Sequence, residues 1–243
     1  MMNSLARRML FAISLRKSYS LYWKRRFNLE MVLPTVNKFS SQTFNQDVCW
    51  KCGLERKNIT KVFCEECNTV QNPYESANYF KIFNLEEKFD IDPKVLQGKY
   101  RRLQSVLHPD KFTTKSEEER NISENFSSLV NKAYNELQQP LKRAEHLLKL
   151  KGDIGEKEIS AEPEFLIEMM ERNEEMENIT DPKKLRELNL KNKNELEKIA
   201  KDIDQYFKEN NLEKVKQCIL KMKFYSSLGH RINSVMRELG IVD

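Results

Sequence analysis

The fold of this chain is decided by residues 92–110, whose sequence is DPKVLQGKYRRLQSVLHPD. Asp92 is a favourable helix N-cap and Pro93 suits a first helical turn, so a helix is predicted to begin here. Apolar side chains recur at i, i+4, i+7 and i+11 and form one stripe, made of Leu96, Tyr100, Leu103 and Leu107. Proline cannot continue the helix, which therefore stops abruptly at His108-Pro109-Asp110.

A second amphipathic helix is predicted from about Lys115 to Gln138. Its stripe consists of Ile122, Phe126, Leu129, Val130, Ala133, Tyr134 and Leu137. The two stripes can pack into an antiparallel hairpin with the His-Pro-Asp turn at its tip. A short apolar helix that contains Tyr79, Phe80, Ile82 and Phe83 can pack across the base of that hairpin.

The His-Pro-Asp turn alone is weak support for a function, because these residue types also suit an ordinary helix stop. Here the turn follows Lys99-Tyr100-Arg101-Arg102-Leu103, and an aromatic pair precedes both helices. The whole pattern resembles a J-domain over about residues 76–150, so we assign a J-domain to residues 73–151. A fourth J-domain helix is not obvious, because residues 140–150 run directly towards a breaker at 151–155. This departure favours the HscB branch of J-proteins.

The resemblance implies that this domain docks on a DnaK-type chaperone and stimulates its ATP hydrolysis. The implied contact residues are His108, Pro109, Asp110, Lys99, Arg101 and Arg102. The ATP chemistry then belongs to the partner, and this chain is not expected to be an enzyme.

Composition favours a helical protein. Of the 243 residues, 33% are charged, and only 6 are Gly and 7 are Pro, which disfavours turn-rich β architectures. No apolar run approaches the length of a membrane span, so no membrane association is expected.

The first 29 residues differ in charge from the rest of the chain. They contain seven Arg and Lys residues and no acid, with apolar residues between the charges. This composition is typical of a mitochondrial transit peptide, followed by a linker over residues 30–48; a basic arm that is retained is the alternative. We therefore expect the mitochondrial matrix as the location, which leaves room for a cytosolic pool. Without these seven charges, 35 basic residues face 37 acidic ones, so nucleic acid is not an expected partner.

Residues 49–72 hold two Cys-x2-Cys pairs separated by eleven residues, namely Cys49, Cys52, Cys64 and Cys67. Two such pairs can supply the four thiolates of a closed, structural Zn²⁺ site. Gly53 allows the turn after the first pair, and residues 53–63 can form a short hairpin between the pairs. A redox Cys-x2-Cys motif and a rubredoxin-like iron site are the alternatives. The fifth cysteine, Cys218, is expected to be a buried thiol.

Residues 163–240 predict a three-helix bundle. In its first helix, Phe165, Met169, Met176 and Ile179 form the expected core stripe. Leu166, Ile167 and Met170 fall outside that stripe and have acids beside them. Such a second apolar strip indicates a partner site, although a helix buried on both faces would explain it equally well. The other two helices have seams typical of an antiparallel pair, and Leu239 is the last residue of the second seam.

At this point the resemblance to the HscB family becomes specific. Residues 165–175 look like the scaffold-binding helix of that family, and residues 221–224 look like its later contribution. The resemblance implies that an iron–sulfur scaffold protein is bound by Leu166, Ile167, Met170, Glu171, Glu174 and Phe224. Asn173 departs from the pattern, because bacterial members tend to have a basic residue there.

The fold expected from the whole sequence is mostly α: a zinc module, a helical-hairpin J-domain and a C-terminal three-helix bundle. The expected function is that of a co-chaperone in iron–sulfur cluster biogenesis, which delivers the scaffold to the chaperone and promotes cluster transfer. The alternatives are a general J-protein for unfolded clients, a zinc-ribbon adaptor for nucleic acid or ribosomes, and a redox enzyme that uses Cys-x2-Cys.

Overall fold

The computed structural model describes residues 47–74, 77–152, 161–179 and 181–241. The predicted transit peptide and residues 30–46 of the predicted linker lie outside these ranges. The α-helices of the described residues are α1 Tyr79–Ile82, α2 Pro93–Leu107, α3 Glu117–Leu137, α4 Pro140–Leu150, α5 Pro163–Asn178, α6 Pro182–Lys208 and α7 Leu212–Glu238. The predicted mostly helical fold class is confirmed.

Helices α2 and α3 form the predicted antiparallel hairpin. Asp92 caps α2 by accepting a hydrogen bond from the Lys94 N–H at 2.8 Å, and Ser116 caps α3 in the same way. The stripes meet in the middle of the hairpin, where the rings of Tyr100 and Tyr134 stack with centroids 4.1 Å apart. The turn between the two helices therefore projects from a packed and capped support.

The short helix α1 packs at the base of the hairpin, as predicted, and it also contacts α4. The Tyr79 ring stacks on the buried His146 ring of α4 at 4.2 Å, and the Tyr79 N–H donates to His146 Nε2 at 3.1 Å. Because Nε2 accepts this bond, the ring is neutral. Burial, reinforced by the nearby Lys149 charge, lowers the pKa of His146 to about 4.

Helix α4 corrects the sequence analysis, which did not assign a helix to residues 140–150. Pro140 occupies the first helical turn, where its missing N–H is not needed. Ala144, Leu147 and Leu148 are buried on one face of the helix. Pro140 therefore marks a helix start, and the helix ends at Leu150, directly before the breaker at 151–155.

The C-terminal bundle is built on the long pair α6 and α7, with α5 lying against α7. The predicted seams are buried, except that Leu196 and Tyr206 of α6 are half-buried and Leu239, which caps the end of α7, is 52% exposed. Gly229 lets the two helices approach closely, since a Cβ at this position would lie 2.8 Å from Asn192 Nδ2. The Asn192 amide lies in the interface and donates to the Tyr225 carbonyl at 3.1 Å.

One hydrophobic cluster extends from the hairpin through α4 into the bundle. Phe80, Leu107 and Leu137 belong to it together with Phe165 and Ile203. A smaller cluster, centred on Leu185 and Ile232, fills the far end of the bundle. Because the core is continuous between residues 70 and 225, the predicted division into a J-domain and a separate bundle stays a prediction.

Candidate binding surfaces and metal centre

The four cysteines of the predicted zinc module lie together. All four Sγ atoms are within 4.8 Å of one another, with 3.6 Å between Cys49 and Cys67 and 3.9 Å between Cys52 and Cys64. A tetrahedral ion with Zn–S bonds of about 2.3 Å has sulfur atoms about 3.8 Å apart. The donor set and its spacing therefore fit a closed four-thiolate metal site.

Each Cys-x2-Cys pair sits in a turn of the same shape. The Gly53 N–H donates to the Cys49 carbonyl at 3.0 Å, and the Asn68 N–H donates to the Cys64 carbonyl at 3.0 Å. Both residues have positive φ, +71° and +54°, in the left-handed region that Gly and Asn tolerate best. The turn at Gly53 was expected from the sequence, whereas the matching turn at Asn68 was not, although Asn is the non-glycine residue that adopts this conformation most readily.

Residues 53–63 do not form the short hairpin that the sequence suggested between the two Cys-x2-Cys pairs. Instead, one β-bridge closes a loop around each pair. Single antiparallel bridges join Val48 to Glu55 and Phe63 to Val70. Since each bridge encloses one Cys-x2-Cys turn, the thiols are presented from two separate loops.

The electrostatics of the cluster favour a bound cation. Burial raises the pKa of Cys49, but hydrogen bonds from the backbone N–H groups of Cys52 and Lys51 outweigh it and lower the pKa to about 6. At Cys52 the Leu54 N–H lowers the pKa, but burial and the three other cysteines raise it to about 12. Four thiolates so close together repel one another, and a metal ion removes that repulsion.

The His-Pro-Asp turn lies at the hairpin tip, and its three side chains are exposed. A 3₁₀ turn, Pro109–Phe112, begins directly after His108, whose Nδ1 accepts a hydrogen bond from the Asp110 N–H at 3.4 Å. Phe112 is buried and anchors the end of the turn in the core. The turn thus presents a His and an Asp side chain to solvent from a fixed backbone.

The three basic residues predicted for chaperone docking are not equivalent. Arg101 and Arg102 are exposed on the surface of α2. Lys99 is half-buried, and its amine donates to the carbonyl of Asn84 at 2.9 Å. Lys99 therefore also holds the loop before α2 against the hairpin.

The first helix of the bundle, α5, has both of the predicted apolar faces. Phe165, Met169 and Met176 are buried against the rest of the protein, whereas Ile167 is 56% exposed. Leu166 and Met170 are half-buried, and Glu171 and Glu174 are exposed. We call the five side chains Leu166, Ile167, Met170, Glu171 and Glu174 the α5 strip. The alternative of a helix buried on both faces does not hold.

Phe224 of α7 lies at the edge of this helix. Its half-buried ring meets the Phe165 ring edge-on, with centroids 5.5 Å apart.

The departure from the family pattern at Asn173 has a local explanation. Its side-chain oxygen accepts a hydrogen bond from Arg231 of α7 at 2.5 Å, so a cation is supplied from the neighbouring helix.

A polar cluster that the sequence analysis missed holds α5 on α7. The Tyr225 hydroxyl donates to Glu168 Oε1 at 3.0 Å, and Arg172 pairs with the same carboxylate at 2.9 Å. Burial raises the pKa of Tyr225, and the Glu168 hydrogen bond raises it further. Glu168 and Arg172 form an ordinary i,i+4 pair in the sequence, so only the third partner from α7 reveals their role.

Known proteins resemble the chain over most of its length. A family model described as the HscB C-terminal oligomerisation domain matches residues 161–233. The mouse iron–sulfur cluster co-chaperone protein HscB is 34% identical over 188 residues, which are 76% of this chain and 80% of the mouse protein. The chain belongs to the HscB family. A relative from Arabidopsis thaliana, named an HscB homolog, is 32% identical over 77% of this chain and 75% of its own length.

Solved structures agree with this assignment. The crystal structure of human co-chaperone HscB superposes with a TM-score of 0.70 at 32% identity, covering 76% of this chain and 96% of the human one. Yeast Jac1, at 19% identity and a TM-score of 0.52, shares the fold. Membership of the HscB family supports a co-chaperone role in iron–sulfur cluster biogenesis. Among the described residues, no helix is long and apolar enough to cross a membrane.

Proposed function

We propose that the His-Pro-Asp hairpin is a J-domain that stimulates ATP hydrolysis by a DnaK-type mitochondrial chaperone, while the C-terminal bundle delivers an iron–sulfur scaffold protein to it. Hydrolysis would lock the chaperone on the scaffold and promote cluster transfer to acceptor proteins. The chain needs no catalytic group for this role, because the partner hydrolyses the nucleotide.

The observation that carries the proposal is the exposed His-Pro-Asp turn on a rigid support. Leu107 is buried directly before the turn and Phe112 is buried two residues after it, so the backbone that presents the three exposed side chains is anchored at both ends. Arg101 and Arg102 add positive charge on α2. A cationic surface of this kind accelerates encounter with an acidic partner and makes the binding sensitive to salt.

The α5 strip and Phe224 supply the second contact. An exposed Ile beside two half-buried apolar side chains, with carboxylates at its edge, has the composition of a binding surface with a polar rim. A general J-protein would use such a surface for many extended clients. Selective binding of a folded scaffold protein distinguishes the two roles.

The test is a single-turnover ATPase assay with a DnaK-type chaperone of the mitochondrial matrix and the scaffold protein. His108→Gln is expected to abolish stimulation and to leave scaffold affinity unchanged. His230→Gln is the matched control, because His230 is also exposed but lies on α7, away from the turn. Stimulation that survives in His108→Gln would disprove the J-domain assignment. Equal competition by unfolded peptides would favour the general J-protein.

The metal and the location belong to the same proposal. The four-cysteine site would hold a structural Zn²⁺, since all four ligand positions are filled by thiolates and none is left open for a substrate.

Residues 1–29 would direct the chain to mitochondria. A fluorescent fusion without these residues should lose import, and retained import would contradict this part.

A further inference from the structure

Glu119 is a charged residue in a position where the hairpin would be expected to have an apolar one. It lies in the first turn of α3, on the same stripe as the buried residues Ser123, Phe126 and Val130, and is only 2% exposed. A buried carboxylate is costly unless a partner compensates it. The position of this acid beside the His-Pro-Asp turn therefore requires an explanation.

The partner comes from the metal-binding module. Lys51 lies between the two ligands of the first Cys-x2-Cys turn, and its amine is 3.4 Å from Glu119 Oε2. The adjacent Trp50 donates its indole N–H to the Val70 carbonyl at 2.7 Å. Val70 is fully buried in the same hydrophobic cluster as the hairpin. The first turn of the metal site is thus attached to the hairpin directly by the Lys51–Glu119 ion pair, and indirectly through the hydrogen bond of Trp50 to Val70, which belongs to the hairpin's hydrophobic cluster.

The same face of α3 is attached to the residue that precedes the turn. Ser123, one helical turn after Glu119, donates its hydroxyl to the Leu107 carbonyl at 3.1 Å. Leu107 is the last residue of α2 and is directly followed by His108. A continuous set of contacts therefore leads from the metal ligands through Lys51, Glu119 and Ser123 to the His-Pro-Asp turn.

We propose that the metal-loaded module positions the His-Pro-Asp turn, because the folded first Cys-x2-Cys loop holds Lys51 against Glu119 and so fixes the start of α3. Lys51 and Glu119 are then positioning residues of the chaperone-facing surface. The expected effect on the chaperone rests on the proposed J-domain function. The coupling between module and hairpin can be measured without any partner.

Hydrogen exchange on the full chain tests this coupling. Removal of the metal with a chelator should speed exchange of the amides in residues 104–123, while the α6–α7 pair stays protected. Lys51→Met keeps the aliphatic side chain but removes the charge, and it should speed the same amides while the metal content is unchanged. The expected increase is about three- to tenfold, since an unpaired buried charge is costly but Lys51 is half exposed.

A matched control exists within the module. Lys57 pairs with Glu66 at 3.5 Å without reaching the hairpin, so Lys57→Met should leave exchange in residues 104–123 unchanged. In a Glu119→Gln background, Lys51→Met should have little further effect, because the pair is already broken. Unchanged exchange in Lys51→Met, or an equal increase in Lys57→Met, would overturn the proposal.

Chaperone stimulation separates this inference from the proposed function. Lys51→Met should lower stimulation several-fold with the metal retained, and Lys57→Met should not. If wild type and His108→Gln stimulate equally, the J-domain assignment fails, while the exchange data still decide the coupling. If exchange responds but stimulation by Lys51→Met equals that of wild type, the positioning role is wrong.

Discussion

Replacement of Ile167 by Ala tests the α5 strip with little risk to the fold. The side chain is 56% exposed, so binding can bury only about half of it. Full burial of an Ile side chain contributes about 1.5–3 kcal/mol, and the covered half therefore contributes about 1 kcal/mol. The expected result is a Kd for the scaffold protein about fivefold higher than that of wild type. The free energy of unfolding should change by less than about 0.5 kcal/mol, as for other exposed positions.

The assay is isothermal titration calorimetry of the purified scaffold protein against wild type and variants. Leu190→Ala is the matched control, because Leu190 is 59% exposed but lies on α6. It should bind like wild type. Equal affinity of Ile167→Ala and wild type, or an equal loss in Leu190→Ala, would remove the scaffold-binding role from the strip. A large loss of stability in Ile167→Ala would mean that the side chain is packed in solution.

Three further predictions concern the metal, pH and helix packing. Elemental analysis of the purified chain should find one zinc, which Cys64→Ser should lose; iron with a coloured spectrum would contradict the structural-zinc proposal. The pKa of His146 is lowered from 6.5 to about 4, so the unfolded chain binds the extra proton first. Stability should therefore fall as pH decreases from about 6.5 to 4, and urea titrations of His146→Gln should show a flatter dependence. Gly229→Ala should destabilise the protein by about 1–3 kcal/mol, because its Cβ would press on buried Asn192; a more stable variant in urea would refute this packing.

Amphipathic periodicity predicted the hairpin and the bundle because their helices each bury one stripe. The stripes ending at Leu107 and Leu137 could be recognised because their apolar residues recur at helical spacing. Helix α4 was not predicted because residues 140–150 run directly towards the breaker at 151–155, whereas its contacts with α3 and α7 stabilise it. Local pattern reveals amphipathic helices best when no strong breaker stands beside them.

The residues that sequence reasoning missed are polar groups whose partners lie far away in the chain. Glu119 resembles any other acid at a helix N-terminus, and Tyr225 resembles any other seam residue. Their roles depend on Lys51 and Glu168, which are 68 and 57 residues distant. No local pattern predicts such pairs, because either residue alone is compatible with a solvated or an ordinary core position.

The arrangement of the two proposed binding surfaces follows from contacts between the hairpin half of the chain and the bundle. Glu145 of α4 pairs with Lys223 of α7 at 2.6 Å, and Phe89 stacks on Phe207 of α6 at 6.3 Å. These contacts and the shared core fix the hairpin against the bundle. A flexible linker would set only the effective concentration of the two partners. A packed interface also sets their orientation, so a scaffold on the α5 strip would meet the chaperone at the His-Pro-Asp turn in one geometry, which favours transfer over mere recruitment.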